Sequence, residues 1–372
     1  GAQYVRGVQE HGLAASIKHF PGDGVDERDQ HLVTSINSLS CDEWDATFGQ
    51  VYQACIDAGA LTVMAGHIMQ PAYSRKLRPG IADKDILPAS LAPELITDLL
   101  RDQLGFNGLV ITDATAMAGM GIPMPRAQAV PQAIAAGCDM FLFTRNLEED
   151  FAYMQQGVDD GVITPARLHD ALTRILGLKA ALKLHKKPVV PTLDEAVKVL
   201  GSAEHLAWAR AIADQGITLV KDTANLLPIS LEKHKRVLLY DLQNGESYFG
   251  GGKTPALDIF TRLLTAEGFA IERFDPSRGM EGLMQPSTAV TGQYDLIIYL
   301  AQLATKSNQT VVRIEWSMPM GANVPIYMTS VPTLFISVEN PYHLLDVPRV
   351  PTYINTYSPS ETTLTALVDK PL

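Results

Sequence analysis

The first half of the chain contains three short apolar runs that end in polar side chains of catalytic types. The run 14–20 carries a lysine and a histidine, 61–67 ends in a histidine, and 109–113 ends in an aspartate. Parallel strands of an α/β fold gather such residues at one edge, where ligands bind. The resulting candidates are Lys18, His19, His67 and Asp113.

Asp113 directly follows the apolar run 109–112, so a buried strand would present its carboxylate at the edge of the sheet. There the carboxylate can act as a nucleophile. It can equally cap the next helix or hold a neighbouring lysine, and the spacing alone favours neither role.

His31 lies two residues after Asp29, in a loop rich in glycine and aspartate. A carboxylate that holds the imidazole in one tautomer makes it a good general acid at neutral pH. A loop histidine can also be an ordinary solvated side chain. Lys18 and His19 point to opposite faces of a regular strand, so one of them can be structural. His67 can be a core histidine whose ring is satisfied by backbone groups.

The three imidazoles of His19, His31 and His67, together with Asp113, form a conceivable metal-ligand set. None of them has the short His-x-His or HExxH spacing of a metal motif. Lys18 in the same place would repel a cation. We therefore expect no metal and no other cofactor.

Apolar runs alternate with helical patterns through residues 1–185, which is typical of a parallel sheet covered by helices. The predicted strands are 14–20, 61–67, 109–113 and 139–144, and the clearest helices are 43–58, 91–104 and 165–181. Four such units cannot close an eight-stranded barrel.

The proline-containing segment KKPVVP, residues 186–191, begins a predicted linker that we place at 186–200. A second α/β pattern follows over 201–372 and predicts a doubly wound sheet. Its predicted strands are 217–220, 236–241, 270–274, 296–300, 334–338 and 352–355. The glycine-rich run 250–254 lacks the spacing of a phosphate-binding loop and is predicted to be a turn.

The composition is that of a globular chain with room for two domains, at 372 residues and 46% hydrophobic content. A net charge of −11 argues against a nucleic-acid or anionic-membrane partner. The three cysteines show no CxxC spacing, so a reducing, cytoplasmic location is expected. No apolar run is long enough to cross a membrane.

Four segments together resemble glycoside hydrolase family 3, and most closely its bacterial β-N-acetylglucosaminidase branch, which carries an Asp-x-His dyad. They are IKHFPGDG at 17–24, DQH at 29–31, VMAGH at 63–67 and VITDATAM at 110–117. Residues 211–228 are similar to the family's entry into its second domain. The resemblance implies the C-terminal part of a (β/α)8 TIM-type barrel, lacking its first strands, followed by an α/β sandwich that is truncated at its C-terminus.

The resemblance also implies a retaining hydrolysis that releases terminal β-linked N-acetylglucosamine. Asp113 would be the nucleophile that forms a covalent glycosyl-aspartate, His31 the general acid/base, and Asp29 the residue that orients it. Lys18, His19 and His67 match family positions that hydrogen-bond sugar hydroxyls. These roles are expectations from the family pattern.

The sequence departs from that pattern at two positions. Asp23 replaces a histidine that is common in the family, and Gln30 replaces the usual serine between the two residues of the dyad. Neither change removes a catalytic group, but Asp23 is expected to alter the charge at the rim of the site and the substrate preference.

Three alternatives remain open. The chain can be a β-glucosidase or β-xylosidase whose acid is Glu315, or a phosphorylase, because a neutral imidazole repels phosphate less than a carboxylate does. It can also be a non-catalytic fragment or carbohydrate-binding remnant, since half a barrel leaves unpaired strand edges. A second chain, or self-association, would complete the barrel.

Overall fold

The computed structural model describes residues 1–186, 190–243, 256–275, 286–304, 307–308, 313–317, 321–370 and 372. The chain divides into two compact units, Gly1–Val190 and Pro191–Leu372. The glycine-rich run 250–254 and residues 187–189 of the predicted linker lie outside the described residues. None of the described helices is both long and apolar enough to cross a membrane.

The first unit is built on a four-stranded parallel sheet with the order β1-β3-β5-β6. The predicted parallel sheet is confirmed. A two-stranded parallel pair, β2 and β4, lies beside it and was not predicted, because two-residue strands leave no periodic signal. The strands are β1 Ser16–Phe20, β2 Ser35–Ile36, β3 Thr62–Ala65, β4 Ile68–Met69, β5 Leu109–Ala114 and β6 Met140–Leu142.

Helices cover this sheet and alternate with its strands. The helix that begins after Ser40 starts with a capping box, in which Glu43 N–H binds the Ser40 hydroxyl and the Glu43 carboxylate binds Ser40 N–H. The helices of the unit are Ala2–Glu10, Cys41–Trp44 continuing through the π-helical Asp45–Gly49 into Gln50–Asp57, Pro71–Leu77, the π-helical Glu94–Gln103, Ala118–Gly121, Arg126–Ala136, Leu147–Asp159 and Pro165–Ala181, with 3₁₀ turns at Asp83–Asp85 and Ala89–Leu91.

An aromatic cluster holds the C-terminal end of β1. The ring of Trp44 packs edge-on against Phe20 at 6.1 Å between centroids, and its indole N–H donates to the Pro21 carbonyl at 2.7 Å. Gly22 adopts a φ of +125°, and a Cβ there would lie 2.2 Å from the ring of Phe48, so only glycine fits. The turn that follows His19 is therefore fixed by packing and by hydrogen bonding.

A buried ion cluster links β5 to the helices behind the sheet. The Asp139 carboxylate, which is fully buried, accepts hydrogen bonds from Arg101 at 2.9 Å and from Val110 N–H at 2.8 Å, and it also pairs with Arg167. Charges out of water are tolerated only when they are paired in this way.

The second unit contains a six-stranded sheet with the order β7-β12-β11-β10-β8-β9. All neighbouring pairs are parallel except β7 with β12. The strands are β7 Thr218–Asp222, β8 Arg236–Gln243, β9 Ala270–Arg273, β10 Leu296–Gln302, β11 Thr333–Ser337 and β12 Thr352–Asn355. Each overlaps one of the strands predicted from the sequence.

Both faces of this second sheet are covered, as in the predicted doubly wound arrangement. One face packs against the helices Ala256–Ala266 and Glu361–Asp369 through Phe260 and Leu364. The other carries a row of stacked aromatic rings: Tyr240, Tyr299, Phe335 and Tyr353. The other helices among the described residues of the unit are Leu193–Val199, Ala203–Gly216 and Ser287–Thr291, with a 3₁₀ turn at His343–Leu345.

The helix Leu193–Val199 lies inside the segment 186–200 that the sequence predicts to be a linker. Thr192 and Glu195 form a capping box at its N-terminus, with Glu195 N–H bound to the Thr192 hydroxyl. The prolines in the run 188–191 gave no indication of this helix, because they precede its cap.

We predict that Asp139→Asn lowers the free energy of unfolding by about 3–5 kcal/mol, because it leaves the buried guanidinium of Arg101 without its counter-charge. Urea unfolding measures the loss. Asp170→Asn is the control, since that carboxylate is 41% exposed although it also pairs with Arg167, and we expect a cost below about 1 kcal/mol. Equal costs for the two variants would contradict the prediction.

Candidate active site

Asp113 occupies the C-terminal end of β5 in the first unit. Its Oδ1 accepts a hydrogen bond from Ala114 N–H at 2.8 Å. Its Oδ2 is buried and has no hydrogen-bond partner among the described residues, and His19 Nε2 lies 3.4 Å away. A buried polar atom left without a partner is costly, and such atoms are often catalytic.

His19 lies at the end of β1 between two carboxylates. Its Nδ1 pairs with Asp23, and its Nε2 faces Asp113. Lys18, the preceding residue, is exposed. The Lys18–His19 and Phe20–Pro21 peptide bonds are cis. The structure thus brings His19 into contact with Asp113, as the shared sheet edge predicted.

The predicted dyad of Asp29 and His31 forms in the structure. Asp29 Oδ1 accepts hydrogen bonds from His31 N–H at 2.9 Å and from the ring Nδ1 at 2.7 Å. The bond to Nδ1 assigns a proton to that nitrogen and leaves Nε2 for other chemistry. The His31 side chain is 28% exposed, so part of the ring is open to solvent.

The loop that carries the dyad rests on the helix Ala118–Gly121. The carbonyl groups of Gln30 and His31 accept hydrogen bonds from the N–H groups of Gly119 and Ala118, both at 3.1 Å. A Cβ on Gly119 would lie 2.6 Å from the Gln30 carbonyl oxygen and 2.8 Å from the His67 Cβ. The backbone approaches so closely here that only glycine fits.

His67, predicted to bind a sugar hydroxyl or to sit in the core, is fully buried. Its Nδ1 lies 2.8 Å from the Ser90 hydroxyl and its Nε2 lies 3.1 Å from the Ala114 carbonyl. A carbonyl can only accept, so Nε2 carries the proton and the Ser90 hydroxyl donates to Nδ1. Both nitrogens therefore have protein partners.

Burial lowers the pKa of His67 below the usual histidine value. The hydrogen bond to the Ala114 carbonyl and the negative charge of Asp113 oppose that shift, while His31 and His19 lower the pKa further. The contacts of His19 with Asp113, of His67 with the Ala114 carbonyl and of Gln30 with the His67 N–H place the residues predicted at three strand ends, and the loop of the dyad, in one site.

Sequence reasoning missed the residues that support this site. Ser90 and Gly119 stand in no motif with catalytic spacing, and Ser90 lies 23 positions from His67. The side chain of Gln30 was noticed only as a departure from the family pattern. Within the described ranges, no group of three or more metal-ligating side chains is placed to hold an ion.

Residues 1–178 match the family model of the glycosyl hydrolase family 3 N terminal domain. A beta-N-acetylglucosaminidase/beta-glucosidase of Cellulomonas fimi is 60% identical over 375 residues, which cover 100% of this chain and 66% of that protein. A beta-hexosaminidase of Stenotrophomonas maltophilia is 33% identical over 197 residues, 47% of this chain and 54% of its own length.

Two solved structures show the same fold. The beta-glucoside phosphorylase BglX bound to 2FGlc superposes with a TM-score of 0.91 at 45% identity, covering 99% of this chain and 65% of that one. A family 3 beta-N-acetylglucosaminidase from Paenibacillus gives 0.74 at 23% identity, over 99% of this chain and 66% of its own. The matches thus span between 54% and 66% of the length of these four proteins. The predicted fold class, part of a TIM-type barrel followed by an α/β sandwich, is confirmed.

We predict that the His67 ring is neutral at pH 6.5, with its proton on Nε2, although an exposed histidine is half protonated at about that pH. The cause is the burial of the ring together with the fixed donor Ser90. Long-range ¹H–¹⁵N correlation spectra distinguish the tautomers and the charged form. A doubly protonated ring at this pH would contradict the prediction.

Proposed function

Because the chain belongs to glycosyl hydrolase family 3, we propose that it cleaves terminal β-linked glycosides of N-acetylglucosamine and glucose through a covalent intermediate on Asp113. The observation that carries the proposal is the buried Asp113 Oδ2, which lacks a hydrogen-bond partner in the described structure and shares its site with the Asp29–His31 dyad. The Cellulomonas fimi relative bears both activities in its name, which supports the substrate class.

In the first step Asp113 Oδ2 forms a bond to the anomeric carbon while the bond from that carbon to the leaving oxygen breaks. Positive charge develops on the sugar in the transition state, and an ionised carboxylate beneath it stabilises that charge. Oδ1 is already bound to Ala114 N–H, so the backbone orients the carboxylate and leaves Oδ2 as the attacking atom.

His31 supplies the proton transfers through Nε2. It protonates the leaving oxygen in the first step and, once neutral, accepts a proton from the water that attacks the intermediate. That water forms its bond to the anomeric carbon as the ester bond to Asp113 breaks. Asp29 binds Nδ1 of His31 at 2.7 Å, which keeps Nε2 directed away from Asp29.

Lys18 and His19 are the candidates for hydrogen bonds to sugar hydroxyls, because Lys18 is exposed and His19 borders Asp113. For His67 the prediction of the same role stays untested. Both of its ring nitrogens bind protein partners, so we propose that it acts by holding the Ala114 carbonyl, and with it the backbone next to Asp113.

We predict that Asp113→Asn abolishes release of a chromogenic aglycone from a β-N-acetylglucosaminide, because an amide cannot form the glycosyl ester.

We predict that His31→Ala loses kcat/KM mainly for poor leaving groups, by about 10²- to 10⁴-fold, since good leaving groups need no proton. Steady-state kinetics on a series of aryl and alkyl glycosides measures both effects.

Glu315→Gln serves as the control in that series, because Glu315 is the alternative acid and is exposed in the second unit. A selective loss for poor leaving groups in Glu315→Gln instead of His31→Ala would overturn the role given to His31. Normal turnover by Asp113→Asn would overturn the nucleophile. A wild-type protein that binds the glycoside without turnover would support the non-catalytic alternative.

Phosphorolysis is a second candidate, favoured by the 45% identity to a beta-glucoside phosphorylase. After it gives up its proton, His31 is neutral, whereas a carboxylate base would be an anion that repels phosphate. Phosphate can therefore approach the intermediate and take the glycosyl group in place of water.

We predict that inorganic phosphate at millimolar concentration shifts the product of the wild-type protein from free sugar to sugar phosphate. ³¹P NMR and chromatography of the reaction mixture detect the product, and sulfate at the same ionic strength is the control. A product that stays entirely free sugar as phosphate rises would exclude phosphorolysis and leave hydrolysis as the activity.

A further inference from the structure

The side chain of Gln30, between the two residues of the dyad, is buried and bonded at both ends of its amide. Its Oε1 accepts a hydrogen bond from the backbone N–H of His67 at 2.7 Å. Its Nε2 donates to both carboxylate oxygens of Asp23, at 3.4 and 3.5 Å. Only 4% of Gln30 is exposed, so water has little access to its amide, whereas the Asp23 side chain is 45% exposed.

Asp23 receives a second donor on the same carboxylate, the Nδ1 of His19. The other nitrogen of His19 lies 3.4 Å from Asp113 Oδ2. A continuous line of polar contacts thus runs from the Gln30 amide through Asp23 and His19 to the carboxylate of Asp113. It connects the loop after β1 with the end of β5.

We propose that Gln30 and Asp23 form a positioning pair that holds the acid/base loop in register with the nucleophile; this inference rests on the proposed function. Gln30 precedes His31 directly, so a shift of Gln30 moves the imidazole relative to Asp113. Misplacement by about 1 Å can cost a reaction on the order of 10²-fold. Neither residue of the pair takes part in the chemistry itself.

The order of donors and acceptors explains why these side chains suit each other. The His67 N–H needs an acceptor and the Asp23 carboxylate needs a donor, and the two ends of the Gln30 amide supply both. A carboxylate at position 30 would keep the acceptor for His67 but would place a second negative charge against Asp23. With Asp23→Asn alone, the new amide nitrogen would face either Gln30 Nε2 or His19 Nδ1, and two donors cannot bond to each other.

Exchanging the amide and the carboxylate between positions 30 and 23 restores the match of hydrogen-bond donors and acceptors. In the double variant Gln30→Glu with Asp23→Asn, the new Asn amide nitrogen donates to the new Glu carboxylate. The Asn oxygen still accepts from His19, and the Glu carboxylate still accepts from His67 N–H. The net charge also returns to that of the wild type, because one substitution adds a negative charge and the other removes one.

The test is a double-mutant cycle on the purified protein, with kcat/KM measured for an alkyl glycoside and for a dinitrophenyl glycoside. We expect Gln30→Glu and Asp23→Asn each to lose about tenfold or more on the alkyl substrate, whose departure needs the proton from His31. We expect the double variant to recover most of that loss. Gln30→Glu should lower kcat/KM for the dinitrophenyl substrate much less, by about threefold or less.

Gln156→Glu is the matched control, because it makes the same substitution in an exposed Gln–Asp contact, to Asp160 at 2.8 Å. It should leave kcat/KM unchanged for both substrates. Thermal melting of every variant accompanies the kinetics. If Gln30→Glu does not fold, the gain of the double variant over Asp23→Asn still decides the question.

Additive losses in the double variant would overturn the positioning pair. Equal losses by Gln30→Glu on the two substrates would overturn it as well, because a general weakening of the fold would act on both. These outcomes differ from failure of the proposed function. If the proposed function is wrong, turnover survives Asp113→Asn. If turnover depends on Asp113 but the losses of the two single variants simply add in the double variant, only the positioning pair is rejected.

Discussion

The parallel pairing of β1, β3 and β5 is the constraint on which the site depends. Phe20 pairs with Ala65, and Ala65 pairs with Thr112, so His19, the end of β3 and Asp113 reach the same edge of the sheet. Parallel strands require long crossover connections, and here those connections carry the loop of the dyad and the turn that contains Ser90. A slip of one residue in this register would turn Asp113 to the other face.

Hydrogen bonds from the backbone and from neutral side chains hold the charged groups within that frame. Ala114 is the centre of this arrangement, because its N–H orients Asp113 and its carbonyl fixes the tautomer of His67. Burial lowers the pKa of His67 next to the carboxylate. The site is therefore closely hydrogen-bonded around Asp113 and open to solvent at His31, whose side chain is 28% exposed.

The parts of this picture that the sequence predicts are those with a local signal. Apolar runs located the strands, and Asp113, His19 and the Asp29–His31 dyad followed from their ends and from a family pattern. The parts that it could not predict depend on contacts between distant segments. Ser90 reaches His67 across 23 positions, and Gln30 contacts Asp23 only because the loop folds back on the end of β1. The helix Leu193–Val199 was missed because prolines stand before its cap.

The buried indole of Trp44 makes the turn after β1 visible in tryptophan fluorescence. It is fully buried and stacks on Tyr52 at 6.3 Å, and its N–H is bound to the carbonyl of Pro21, two residues beyond His19. Trp208, by contrast, is 54% exposed. A buried indole emits at shorter wavelengths than an exposed one, and the third tryptophan, Trp316, is only partly buried. The blue edge of the protein's intrinsic fluorescence therefore reports on the turn that follows His19.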